Sequence, residues 1–490
     1  MPPSRTWGLS ILTLLSFPAA IKSMAVFAHF MVSNTEFYTL SDWHSDIALA
    51  KAAHIDAFVL NAGYGQDENA RSFRSAFTVA SELDFKLFFS LDYSGNGHWP
   101  KDQVISLLEN YTTHEAYFRH TDGRALVSTF EGFEAANDWP GIKKKVAQTV
   151  GNETCCVLIP DWTSAGPEKA AKVSAIDGLM SWEAWPHGDE KMNTTRDEEY
   201  MSVLGDRPYI MPVSPWFYTN LRQFHKNWVW QGDDLWYTRW QQVLKLQPAY
   251  VEILTWNDYG ESHYIGPVRR DATGVITEGA PFDYVNGMEH DGWRSLLPYL
   301  IAEYKNGKNG KEVEIEEEAL SVWYRLSPAD ACNSGKTSGN SESSHQAVMR
   351  PGDILQDRIF YSAVLEEDAN VAVAVGGVNQ SAQWTATPDG ARGVYHGSIP
   401  FGGRVGEVVV TLSRAEKVLA QMKGRAIENR CLGNQTNWNA WVGNATAVKQ
   451  GGNGTMEDGN EVGDTETGSG MAIQMASLWL TGLALLSCLI

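Results

Sequence analysis

The stretch Thr255-Trp256-Asn257-Asp258-Tyr259-Gly260-Glu261-Ser262-His263-Tyr264 gathers two carboxylic acids, an imidazole and several aromatic rings. Two carboxyl groups facing one cleft can divide acid and base work, because burial or a like charge raises one pKa while the partner stays ionised. Cleavage of a glycosidic bond needs that division. Spacing alone is weak evidence, since any exposed loop can carry Asp and Glu three apart. The surroundings strengthen it: Gly260 permits a turn that returns Glu261 to the rim of Asp258, and Trp256, Tyr259, His263 and Tyr264 can supply stacking faces and a low-dielectric wall.

Such a pair needs a scaffold that aims strand ends at one mouth. From residue 24 onward, short apolar runs alternate with segments of helical spacing. The runs predict strands at 25–32, 57–63, 86–93, 125–132, 156–162, 178–185, 209–216 and 250–258. Helices are predicted from a Ser41 cap to Ala53, over 101–110, over 233–246 and over 291–304. This pattern predicts a (β/α)8 TIM-type barrel over 24–304; a doubly wound sheet would usually show a Gly-rich phosphate turn, and none is found. Barrel chemistry sits where strands end. The residues closing these runs are His29, Asn61, Asp92, Glu131, Asp161 with Trp162, Glu183 with Trp185, Trp216, and Trp256, Asn257 and Asp258. All of these, with Tyr259 and His263, are candidates for holding sugar hydroxyls and faces; for each carboxylate other than Asp258 and Glu261, a substrate hydrogen bond or a salt bridge at the mouth is the simpler role.

Beyond the barrel, 305–311 reads as a polar linker and 334–345 as a Ser/Gly-rich loop. Short β-branched runs at 354–365, 370–375, 383–387, 393–399 and 405–412 predict a C-terminal β-sandwich accessory domain over 312–447, read as structural support rather than a sugar-binding module. Cys332 and Cys431 bracket this region and form the preferred disulfide. Adjacent Cys155 and Cys156 must be reduced, joined to each other, or paired elsewhere.

The 490 residues include 59 acidic against 39 basic side chains, a formal charge of -20, which argues against nucleic acid as a partner. With 43% hydrophobic and 11% aromatic residues the chain is neither disordered nor fibrous. Residues 1–23 read as a secretory signal peptide. Residues 448–470 read as a polar linker holding an anchor-attachment region, and 471–490 as an apolar tail of the kind that signals a GPI anchor. Export suits an even number of cysteines after tail removal, and marks the sequons at Asn110, Asn152, Asn193, Asn379, Asn434, Asn444 and Asn453 as glycosylated surface positions.

No Gly-x-Ser-x-Gly elbow, His-Glu-x-x-His, P-loop or Cys-x-x-Cys pair is present, which weakens esterase, metalloprotease, nucleotide and zinc readings. The isolated His29 and His263 read as structural or sugar-contacting, and no metal site is expected. The segments Ala28-His29-Phe30-Met31-Val32, Asp56-Ala57-Phe58-Val59-Leu60-Asn61, Pro160-Asp161-Trp162-Thr163, Trp182-Glu183-Ala184-Trp185 and Trp256-Asn257-Asp258-Tyr259-Gly260-Glu261-Ser262 together resemble the fungal α-1,3-glucanases, or mutanases, of glycoside hydrolase family 71. The resemblance covers about residues 25 to 445. It implies a cofactor-free, endo-acting, inverting hydrolase of α-1,3-glucan with a barrel followed by a β-sandwich, and Asp258 and Glu261 as its acid/base pair. Inversion predicts carboxyl groups about 6.5–9.5 Å apart, and a distance near about 5 Å would count against that assignment. The preferred roles are Glu261 as acid and Asp258 as base. A secreted, anchored, monomeric enzyme would act at the plasma membrane or cell wall on the wall's own α-glucan. The alternatives are a wall-associated glucan-binding protein without turnover, and a hydrolase of another glucan or mannan.

Overall fold

Apolar runs too short for helices become buried strands. In the computed structural model, which describes residues 24–151, 155–307 and 312–447, these are β1 (Ala25–Met31), β2 (Ala57–Gly63), β3 (Lys86–Asp92), β4 (Ala125–Phe130), β5 (Cys156–Leu158), β6 (Leu179–Met180) and β7 (Tyr209–Val213). After a hairpin of β8 (Tyr218–Leu221) and β9 (Lys226–Val229) comes β10 (Tyr250–Ile253). Eight of them form one parallel sheet in the order β5-β4-β3-β2-β1-β10-β7-β6. Their near-continuous burial is what a parallel sheet covered on both faces demands. Asp161, just beyond β5, bridges in parallel sense to Phe130 on one side and Met180 on the other, so the two ends of the sheet meet. This is the arrangement of a TIM-type barrel.

The predicted barrel strands all appear, but β5, β6 and β10 keep only three, two and four residues; beyond β5 the chain still follows β4, with Ile159 N–H on the Val127 carbonyl at 2.9 Å and Asp161 N–H on the Thr129 carbonyl at 2.8 Å, either side of Pro160, which has no N–H to give. Helices α1 (Leu40–Ala52), α2 (Asn69–Glu82), α3 (Lys101–Tyr111), α4 (Trp139–Val150), α5 (Pro167–Ala170), α6 (Thr195–Leu204), α7 (Leu235–Leu246), α8 (Gly274–Gly279) and α9 (Leu297–Asn306) follow the strands. The cap of α1 is Thr39, not Ser41: Thr39 and Asp42 exchange side-chain and backbone bonds in a capping box. The last predicted helix begins as a 3-10 turn over Asp291–Leu296 before α9.

The C-terminal part consists of β11 (Ala319–Tyr324), β12 (Ser338–Gly339), β13 (Arg358–Leu365), β14 (Asn370–Val375), β15 (Val378–Gln380), β16 (Gly393–Pro400), β17 (Gly406–Arg414), β18 (Lys417–Ile427) and β19 (Trp441–Thr446). Two four-stranded antiparallel sheets result, β16-β13-β11-β19 and β15-β14-β17-β18. Period-two alternation divides the first sheet: Leu320, Val322 and Tyr324 enter a core shared with Val373, Val410 and Met422 of the second sheet, while Trp323, Phe360 and Val394 join the barrel core. The barrel also ties to this sheet through Trp323 Nε1, which donates to the Asp233 carbonyl at 2.8 Å, and through His396 and Asp234 at 2.8 Å. Residues 383–387 form no strand and meet β16 through a bridge between Ala386 and His396, with Thr385 N–H also donating to the His396 carbonyl at 2.8 Å. The long β18 and the flanking β11 and β19 were not predicted.

Cys332 and Cys431 are bonded, and Cys155 is bonded to Cys156. Asn110, Asn193, Asn379, Asn434 and Asn444 are exposed. Asn152, Asn453, the signal peptide, the linker over 448–470 and the apolar tail lie outside the described residues. Among the described residues no helix is long and apolar enough to cross a membrane.

Candidate active site

The strand ends open into a cavity of about 660 Å3 lined by Asp258 and Glu261, within the range that small-molecule and sugar sites occupy. Both carboxylates stand on one tight turn after β10. Asp258 N–H donates to Thr255 Oγ1 at 2.8 Å, and Glu261 N–H donates to Asp258 Oδ1 at 3.1 Å. The chain then returns antiparallel to itself, with Thr255 N–H on the His263 carbonyl at 2.8 Å and Ile265 N–H on the Thr255 carbonyl at 2.9 Å. Gly260 does not supply the left-handed residue of this turn. Ser262 does, at φ 58°, while a Cβ on Gly260 would stand 3.3 Å from Leu221 and 3.4 Å from Asp258 Oδ1.

The two carboxyl groups are held differently. Lys226 Nζ donates to Glu261 Oε1 at 2.7 Å and His263 Nε2 donates to Glu261 Oε2 at 3.0 Å, whereas Asp258 Oδ2 stands 3.9 Å from His263 Nε2. Burial pushes Glu261 upward, but the Lys226 charge and the bonds from His263 and Lys226 outweigh it and hold the group at about 2. Burial, and then the Glu261 charge, raise Asp258 against the opposing charges of His263 and Lys226.

One oxygen of each carboxylate and a nitrogen of His263 lie within 4.8 Å of one another. The expected separation of about 6.5–9.5 Å is therefore not met by the nearest oxygens. The cause is local: a three-residue spacing on a hydrogen-bonded turn, with both side chains leaning toward one imidazole. Such a grouping has the spacing to attract a cation, but the Lys226 ammonium already supplies positive charge at Glu261.

Of the residues expected to bind substrate, His29, Asn61, Asp92, Glu131, Glu183 and Trp185 line the cavity. His29 Nδ1 meets Glu252 Oε1 at 2.7 Å inside the barrel. Asp92 accepts from the N–H groups of Ser94 and Gly95 at 2.8 and 2.7 Å, yet burial raises it overall. Glu183 accepts from Arg196 Nε at 3.0 Å. Asp161, Trp162, Trp216, Trp256, Asn257, Tyr259 and His263 are buried off the cavity wall. They brace it instead: Trp216 Nε1 donates to the Trp438 carbonyl at 3.0 Å, Asn257 exchanges side-chain bonds with the backbone of Met31 at 2.7 and 3.1 Å, and Tyr259 donates to the Pro267 carbonyl at 2.8 Å. Trp162 and Trp256 pack in the barrel core, the latter under the Arg294 guanidinium.

Sequence reasoning missed Lys226, Phe217, Trp228 and Trp230, which line the cavity from the β8–β9 hairpin, and the mouth-lining Phe37, which is 62% exposed. Alternating aromatics either side of the polar turn Arg222–His225 were the available signal for that hairpin.

The chain matches the model of glycosyl hydrolase family 71 over residues 22–454. It is 35% identical over 390 residues to a glucan endo-1,3-alpha-glucosidase of Schizosaccharomyces pombe, covering 77% of this chain and 84% of that protein. It is 30% identical over 441 residues to a mutanase of Penicillium rubens, covering 89% and 91% of the two chains. Among solved structures it is similar to the GH99 endo-alpha-mannosidase from Bacteroides thetaiotaomicron, with TM-score 0.43 and 13% identity over 59% of this chain and 99% of that one. A match that spans both the barrel and the C-terminal sheets places the whole described chain in one family: it belongs to glycosyl hydrolase family 71 and is a glycoside hydrolase.

Proposed function

We propose that this enzyme hydrolyses α-1,3-glucan, with Asp258 as the proton donor and Glu261 as the ionised partner that activates water. The supporting observation is the unequal holding of two carboxylates at one cavity wall: Glu261 is bonded by a lysine and a histidine, while Asp258 is raised by burial and by the Glu261 charge. These roles reverse the preference taken from the sequence, because spacing says nothing of which carboxylate a cation will reach. The substrate is carried over from relatives named for α-1,3-glucan cleavage or as mutanases.

Activation of water by Glu261 is the inverting course, which is proposed from the family resemblance. For inversion, water and the sugar must enter between groups whose nearest oxygens stand within 4.8 Å. The anomer released first, read by NMR, decides it. The proposed setting is extracellular, with residues 1–23 as secretory signal, 471–490 as the signal for a GPI anchor, and residues 312–447 as a β-sandwich accessory domain. The enzyme would then work as a monomer at the membrane or wall on wall α-glucan.

The test is release of reducing ends from insoluble α-1,3-glucan beside β-1,3-glucan, with Asp258→Asn and Glu261→Gln controls. Release from the α-glucan alone, abolished by either substitution, is expected. Tight binding without release would instead establish a glucan-binding protein.

A further inference from the structure

We infer that Lys226 is a positioning residue for Glu261, and that it is set in place by residues 332–340 of the C-terminal part, which strap the β8–β9 hairpin against the cleft. The inference rests on the reading of Asp258 and Glu261 as the reacting pair.

Lys226 is buried, with 7% of its side chain exposed, and its ammonium meets Glu261 Oε1 at 2.7 Å. An ammonium withdrawn from water is costly unless it is well paired, so this lysine is held by protein groups, Glu261 among them, rather than by solvent. A lysine stem is flexible, and what fixes it here is the strand that bears it. The hairpin is fastened at both edges. On the catalytic side, Tyr218 N–H donates to the Glu261 carbonyl at 3.0 Å. On the other side, β12 pairs in parallel with β9, Ser338 opposite Trp228 and Gly339 opposite Val229.

The residue next to Lys226 carries the clasp. Asn227 Nδ2 donates to the Gly335 carbonyl at 3.0 Å and Asn227 Oδ1 accepts from Thr337 Oγ1 at 2.6 Å. Asn340 extends the strap in two directions: its N–H donates to the Val229 carbonyl at 2.8 Å, and its Oδ1 accepts from Gly188 N–H at 2.9 Å. Gly188 adjoins His187 in the loop that also presents Trp185 to the cavity. The far end of the strap is tied covalently by Cys332–Cys431 and by Thr436 N–H on the Asn333 carbonyl at 3.0 Å. A continuous path of bonds therefore runs from that disulfide through β12 and β9 to Glu261, and the C-terminal part helps shape two walls of the cleft.

The consequence concerns charge. Glu261 is faced by Lys226 from β9 and by Asp258 and His263 from its own turn. Removing Lys226 leaves burial and the neighbouring Asp258 less opposed, so Glu261 takes up a proton at higher pH and the ionised form needed for water activation is lost earlier on acidification.

The test compares the full chain with Lys226→Met, Lys226→Arg, Asn227→Ala and the Cys332→Ser/Cys431→Ser pair, with folding checked by circular dichroism. The readouts are kcat/KM against pH on α-1,3-glucan and the infrared band of the Glu261 carboxyl, identified by its loss in Glu261→Gln. Lys226→Met is expected to lose about 10²-fold, the cost of a small misplacement at a reacting group, and to move both the acid limb and the carboxyl titration to higher pH, while Lys226→Arg keeps the wild-type limb. Asn227→Ala and the cysteine pair should shift both readouts the same way by less. An unmoved titration in Lys226→Met would overturn the role of Lys226, and unmoved titrations in folded Asn227→Ala and the cysteine variant would overturn the strap. Wild-type inactivity on α-1,3-glucan would count against the proposed substrate and leave the infrared titration to decide the inference.

Discussion

Asp258 and Glu261 line the cleft beside a lysine on its wall and a histidine buried behind it, whereas Glu131 and Asp161, beyond the ends of β4 and β5, are met by hydroxyls and backbone N–H groups. In both pairs one carboxylate feels the other's charge, and burial penalises ionisation of every member. In the second pair Thr163 bonds Asp161 and Ser164 bonds Glu131, yet burial outweighs these donors and raises both groups, Asp161 well above its ordinary value with the Glu131 charge as the second cause. In the first pair a lysine ammonium bonds Glu261 directly and acts on Asp258 through its charge, and the two groups part in opposite directions. Neutral dipoles thus leave both groups raised, while an ammonium and an imidazole hold Glu261 low and leave Asp258 raised beside it.

The largest effect should come from the same substitution made in each pair. Asp258 and Asp161 are both raised, so Asn mimics the protonated form of each in shape and charge. At Asp258 the proton must leave for the departing sugar oxygen, and Asn cannot give it: kcat should fall about 10²–10⁴-fold or further. At Asp161 no proton is transferred, Thr163 N–H still finds an oxygen acceptor, and the loss should stay under about tenfold, or ~1.4 kcal/mol of barrier. Equal losses at the two positions, measured as kcat on α-1,3-glucan, would erase the distinction. Glu261→Gln should match Asp258→Asn in severity and, by deleting the like charge, bring the titration of Asp258 down.

A smaller effect lies in stability. Glu261 titrates at about 2 in the fold against an ordinary 4.5, so its ionisation stabilises the fold above the ordinary value, and that contribution is lost as pH falls toward about 2. The thermal midpoint of the protein should therefore exceed that of Glu261→Gln at neutral pH and converge with it below about pH 4.5. Glu131 is raised instead, so its ionisation costs stability as pH increases, and Glu131→Gln should melt no lower than the parent at neutral pH. A falling midpoint in Glu131→Gln would show that the pair is stabilised as an ion.

Much of this frame is legible in the sequence because the barrel strands are apolar runs that end in polar residues, and burial enforces both features. Asp258, Glu261, Asp92, Glu131 and Glu183 announce themselves in that way. Lys226 does not. It sits in a hairpin inserted between the seventh and eighth barrel strands, where the count of β/α units offers no slot, and its partner β12 comes from residues more than a hundred positions later. The place of the buried aromatics is hidden for a related reason: Trp162, Trp216 and Trp256 close predicted strands or their loops, but a ring that large is as useful for sealing the barrel as for stacking on a sugar, and only the three-dimensional packing shows them buried. The proposed direction of the proton likewise lies beyond the spacing of Asp258 and Glu261, because it rests on the distant lysine.

The smallest effect, and the sharpest check on the comparison, is Ser164→Ala. Ser164 holds Glu131 through its hydroxyl and through its N–H at 3.0 Å, and both contacts lower Glu131 against burial. The substitution deletes the hydroxyl and keeps the N–H, so Glu131 should rise further. A single hydrogen bond contributes roughly 0.5–1.5 kcal/mol net, which bounds the change at about tenfold. Because Glu131 lines the cleft without exchanging a proton with the substrate, that change should fall on KM and leave kcat and the acid limb in place, whereas loss of Lys226 moves the limb itself. A dipole and an ammonium, each removed from beside a cavity-lining glutamate, would then differ in kind as well as size. If Ser164→Ala moved the acid limb as Lys226→Met does, Glu131 would have to be counted among the groups that set the proton inventory of the reaction.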